Sequence, residues 1–168
     1  MAQVIESKAS RKIIGPLVNN GSLILTLGDG PNGNDVIAIN PANLKIEGSY
    51  TLGGIATWGP EAVGNVALAT REDGTLLGFG KDINTPDWEV KLPHGRATGL
   101  PISWKGNLVI TLKDGKIAVV NAEDKSVKII DTHEPIAGHC SLAGDRLYFS
   151  GVDGSIGVVD LSKMESQD

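Results

Sequence analysis

An all-β fold of tandem antiparallel sheets is predicted by three observations on this chain of 168 residues. An Asp-Gly dipeptide recurs at Asp29-Gly30, Asp73-Gly74, Asp114-Gly115 and Asp153-Gly154, with spacings of 44, 41 and 39 residues. Each pair is bracketed by two β-type apolar runs, the pattern of a hairpin, because Asp and Gly both tolerate the positive φ of a tight turn. The 22 glycines and the 4% of aromatic residues favour short strands and turns over a helical core.

The elements follow in order along each repeat. The runs before Asp-Gly are SLILTL from Ser22, NVALAT from Asn65, NLVITL from Asn107 and RLYFS from Arg146. Those after it are DVIAIN from Asp35, TLLGFG from Thr75, KIAVVN from Lys116 and SIGVVD from Ser155. A second turn precedes each first run, at Asn20-Gly21, Gly64-Asn65, Gly106-Asn107 and Gly144-Asp145, so every repeat holds two hairpins that share a strand. Gly15, Gly59, Gly99 and Gly138, spaced by 44, 40 and 39, open the strand before that turn, where glycine lets innermost backbones crowd together. The fourth strands, LKIEGSYT from Leu44, DWEVKL from Asp87 and KSVKIID from Lys125, are polar and alternating, as outer strands half in water are. The last repeat has no such strand, and QVIESKA from Gln3 has the alternation to supply it.

A four-stranded sheet buries both faces only when others stack on it, and radial stacking does so while hiding most edges. The reading is therefore a β-propeller forming one domain over 1–168, with blades at about 13–52, 53–94, 95–134 and 135–161 and the strand at 3–9 completing the last. The ring closes either as two chains or a longer polypeptide making eight blades, or as a small four-bladed ring. Net charge is −5 with Lys and Arg scattered, which argues against nucleic acid and anionic membranes, since both need a basic patch. No apolar stretch approaches a membrane span, and MAQVIESKASRK lacks the basic-then-apolar order of a secretory signal. Cys140 is the single cysteine and can form no intramolecular disulfide.

GNLVITLKDGKIAVVNAEDKSVKII from Gly106 and DRLYFSGVDGSIGVVDLSK from Asp145 resemble the pyrroloquinoline-quinone-like (quinoprotein-type) propeller repeat: strand, Asp-Gly, strand, then Asp-x-x-Thr-Gly-x-x-x-Trp. The resemblance runs from about Ile13 to Lys163. The final segment survives only as DINTPDW, ending at Trp88, and NPANLKIEGSY and NAEDKSVKII replace it elsewhere. The vicinal cysteines that many members place over the quinone are missing as well. The resemblance thus implies the fold, an extracytoplasmic setting, no bound cofactor, and a role like that of the scaffold and protein-binding members, such as bacterial envelope assembly proteins.

Gly28-x-Gly30-x-x-Gly33 matches the dinucleotide fingerprint but precedes a β-type run rather than a helix, so it reads as an enlarged hairpin turn. Asp29, Asn32, Asn34 and Asp35 have oxygen ligands at calcium-like spacing without the distal Glu, and read as an Asx turn. Gly-x-Ser-x-Gly does not occur, and no catalytic constellation is expected. Trp88, Trp104, Phe79 and Phe149 are expected to pack between blades. His94 and His133, 39 residues apart, should occupy equivalent loops at the end that carries the Asp-Gly turns. His139, Arg96 and Trp58 should lie near the channel mouth. These five are the candidate binding residues, for a protein or peptide partner on a non-enzymatic scaffold, with self-association into a two-chain ring a second expectation. A degenerate cofactor or metal site at the three histidines is the alternative.

Overall fold

Runs of Val, Ile and Leu bounded by turn residues pair as antiparallel hairpins in the computed structural model, which describes residues 11–167 and side chains to Met164. The first sheet holds β1 (Val18–Asn19), β2 (Ile24–Gly30), β3 (Gly33–Ile39) and β4 (Ile46–Thr51). The second holds β5 (Ala56–Val63), β6 (Val66–Arg71), β7 (Thr75–Phe79) and β8 (Trp88–Lys91), and the third β9 (Ile102–Trp104), β10 (Asn107–Leu112), β11 (Lys116–Asn121) and β12 (Val127–Asp131). The fourth has three strands among the described residues, β13 (Ser141–Ala143), β14 (Arg146–Ser150) and β15 (Ile156–Asp160). Within every sheet the strand order follows the chain, a meander. Among the described residues two 3₁₀ turns, Lys113–Gly115 and Leu161–Gln167, are the helical segments. The strand expected at 3–9 lies outside the described residues.

The phase-locked glycines break the inner strands. Isolated bridges Ile13–Gly28, Ala97–Leu112 and Ile136–Gly151 continue the ladder beyond Gly15, Gly99 and Gly138, and in β5 the register slips around Gly59. The crowding is measurable: a Cβ on Gly15 would lie 3.2 Å from the Gly59 carbonyl oxygen, and one on Gly99 would lie 3.3 Å from that of Gly138. Their own sheets stand closer still, Leu27 Cβ at 2.9 Å and Thr111 Oγ1 at 2.2 Å, so neither position has room for a side chain.

The first hairpin departs from the expected turn. Asp29 pairs with Asn34 and Gly30 with Gly33, so Pro31-Asn32 makes the reversal and Asp-Gly sits in the ladder. Proline presets the φ that the first turn position needs, and it draws the turn two residues onward.

The chain divides into two compact units, one running to Glu72 with Leu76–Glu89, the other Asp73–Thr75 with the residues from Val90. In the first unit, cross-strand pairs Leu25–Ala38 and Leu27–Val36 put four side chains on one face of the first sheet, and Ala67–Phe79 and Ala69–Leu77 do the same on the second. All eight belong to one buried cluster. In the second unit Val109, Val119 and Ile117 of the third sheet cluster with Leu147 of the fourth, and Val159 packs against them. Each fully buried aliphatic side chain contributes about 1.5–3 kcal/mol, so these seams hold the sheets together.

The aromatics divide. Phe79 and Trp104 lie in these seams. Trp88 and Phe149 also cover glycines of their own sheets: a Cβ on Gly78 would lie 2.6 Å from the Trp88 ring and one on Gly157 2.1 Å from that of Phe149. Cys140 packs against the second unit's cluster, and burial pushes its thiol up to about 11, leaving it protonated at neutral pH.

Candidate functional site

The loop from an outer strand to the next inner strand crosses the Asp-Gly turn of its own sheet. Leu92 N–H donates to the Gly74 carbonyl at 2.9 Å, and Thr132 N–H to that of Gly115 at 2.9 Å. The next residues then bend away through a left-handed position, occupied by His94 at φ 64° and His133 at φ 61°. The first repeat places Gly53 there at φ 69°. The sequence expectation of equivalent histidine loops beside the Asp-Gly turns therefore holds, down to the backbone angle.

Both histidines are exposed. His133 N–H donates to Asp131 Oδ1 at 2.9 Å and its Nδ1 lies 3.5 Å from the same oxygen, while Lys116 bonds the other carboxylate oxygen. Lys116 first, then the His133 N–H, hold the Asp131 carboxyl below the usual range. His139, also exposed, accepts the Leu100 N–H on Nδ1 at 3.2 Å and so ties the third repeat's inner segment to the fourth's. Arg96 is exposed and its carbonyl accepts Lys113 N–H at 3.1 Å. These four residues belong to the second unit, whereas Trp58 is on β5 in the first, half-buried, its indole Nε1 shielded and without a hydrogen-bond partner. Among the described residues no three His, Cys, Asp or Glu side chains come together as metal ligands would.

A row of hydroxyls escaped the sequence reading. Thr70, Thr111 and Ser150 each sit three residues before an Asp-Gly pair, and each reaches the inner segment. Thr70 shares a 2.6 Å bond with Thr57, Thr111 accepts from Thr98 at 3.4 Å, and Ser150 donates to the Ala137 carbonyl at 3.1 Å. Their spacing, that of the Asp-Gly marks themselves, was the available signal.

At the other end of the third and fourth sheets, Trp104 Nε1–H donates to Asp145 Oδ1 at 2.9 Å, and Lys105 Nζ lies 3.1 Å from that oxygen and 5.3 Å from the indole centroid. A groove of about 270 Å³ opens here, lined by Trp104, Asn107, Val119, Asn121, Lys128 and Met164 among others. Trp104 and then Lys105 hold the Asp145 carboxyl below its ordinary value. A carboxyl lowered by folding contributes stability above the unfolded value of about 3.9, and that contribution is lost as pH falls through the folded value. The melting temperature is therefore expected to drop below about pH 4, and Asp145→Asn to shallow that acid limb. Calorimetry from pH 7 to 2 checks both, and identical limbs would refute Asp145's part.

Among the described residues no helix is long and apolar enough to cross a membrane. No protein-family model matches the sequence, and no curated protein does. Solved structures do match. BamB from Moraxella catarrhalis aligns with a TM-score of 0.72 at 16% identity, over 94% of this chain and 49% of that one. The WD40 domain of Toxoplasma gondii coronin aligns at 0.64 and 16%, over 86% and 42%. The fold is a β-propeller. The computationally designed Ika4 protein matches at 0.71 and 13%, over 96% of this chain and 99% of its own. The propeller chain thus spans about half the length of BamB and of the coronin structure, and nearly all of Ika4.

Proposed function

We propose that this propeller is a non-enzymatic scaffold that binds a protein or peptide at the end carrying the Asp-Gly turns. The observation that carries the reading is the pair His94 and His133: exposed, in equivalent loops, and both at a left-handed backbone position where the first repeat uses glycine. A non-glycine residue there costs backbone strain of about 1 kcal/mol, and such residues gather at functional loops on rigid frames. Arg96 and His139 extend the same loop set. Kinship with quinoprotein-like repeats is part of the proposal, supported by the Asp-Gly phasing and the likeness to BamB.

The test replaces both histidines with the residue the first repeat already uses. Immobilised wild type and His94→Gly/His133→Gly, matched for melting temperature, are exposed to extract and crosslinked. The expected result is a partner retained by wild type and lost at least tenfold from the variant. Indistinguishable captures would remove the histidine loops as the binding end.

A further inference from the structure

The fourth sheet has one covered face and one bare one. Leu147 lies in the buried cluster shared with the third sheet, and Val159 packs against it. The opposite face carries Tyr148 and Val158, directly paired, and Ile156, paired with Ser150; their exposures are 38%, 57% and 85%. In the third sheet the equivalent positions are Val109, Val119 and Ile117, and all three are buried against the fourth. The bare face therefore has the composition of a surface made to receive a sheet. In the first unit, the face of the first sheet turned away from its cluster bears Thr26, Asp35 and Ile37, which are 0–1% exposed.

We infer that the occupant is the same face of a second copy, in an isologous pair. The charge pattern fits that arrangement. Arg146 and Asp160 are directly opposed across β14 and β15, at one end of the apolar patch. A twofold axis running along the strands between β14 and β15 lays each β14 over the other copy's β15. Arg146 then faces Asp160 of the second copy, Tyr148 faces Val158, and Ser150 faces Ile156. Ser141 and Ala143 of β13 share this face through their pairing with Tyr148 and Arg146, and are small enough to let two sheets approach to about 10 Å. Three strands of this length present a patch of roughly 14 by 17 Å. The buried area then falls below the roughly 1,200 Å² of a stable standard interface, so association is weak and concentration-dependent, with a dissociation constant of micromolar or higher.

Sedimentation velocity of the whole chain from about 1 to 500 µM reads the outcome. The expected result is a weight-average mass rising toward two chains and stopping there. Ile156→Lys, at a side chain too exposed to disturb the fold, should hold the mass at one chain throughout. Arg146→Asp should weaken the pair at least tenfold, and adding Asp160→Arg should restore it, because only a face that meets itself recovers when both charges are exchanged. One-chain mass at every concentration, an unaffected Ile156→Lys, growth past two chains, or a folded double exchange that fails to restore pairing would each overturn the inference.

Discussion

Trp104→Ala is expected to remove about 3–5 kcal/mol of stability, a large part of the 5–15 kcal/mol typical of a domain. The indole is 5% exposed and sits in the seam with Val109, Ile117, Val119, Leu147 and Leu161. Its loss leaves a void that β-sheets, held in register by their ladders, cannot collapse to fill. Its Nε1–H is also the link to Asp145 in the turn of the next repeat. Trp104→Phe keeps most of the apolar volume and should cost only about 1–2 kcal/mol, which separates packing from the hydrogen bond. Urea titration gives both numbers, and a loss under 1 kcal/mol for the alanine variant would mean that the seam is not where the energy lies.

The second large effect is expected at Gly115. Its φ is +74°, and a Cβ there would stand 2.2 Å from the Glu134 carbonyl oxygen and 3.1 Å from Thr132 Oγ1. The first obstacle is backbone and cannot swing aside. Its own carbonyl meanwhile accepts both the N–H and the hydroxyl of Thr132, so shifting the turn would break the crossing of the outer loop. Gly115→Ala should cost about 2–4 kcal/mol. Gly106→Ala is the control, at a φ of +76° with no atom within 4 Å of the added carbon. It should carry backbone strain alone, about 1 kcal/mol. Equal losses would show that the close approach to Glu134 contributes nothing.

These positions also mark how far the residues could be read unaided. Strands and hairpins were legible because alternation and Asp-Gly phasing are local signals, repeated four times. The equivalence of His94 and His133 was legible for the same reason, since their spacing equals one repeat. The first turn misled because two turn signals, Asp29-Gly30 and Pro31-Asn32, lie side by side and only one can close the hairpin. The covering of Gly78 by Trp88 and of Gly157 by Phe149 was hidden, because interior sheets are apolar on both faces and alternation no longer says what an aromatic covers. The His139 contact with Leu100 joins residues one repeat apart, and the spacing alone does not say that this side chain bonds that backbone group.

The meander order of every sheet bears on how this polypeptide acquires its structure. Among the described residues each sheet is laid down by one contiguous stretch, and each described strand pairs with its neighbour in sequence. Loop-closure entropy stays small for these pairings, so the described sheets can form one after another as synthesis advances. The total free energy is then close to a sum of sheet and seam contributions, and a lesion weakens its own repeat most and its neighbours next.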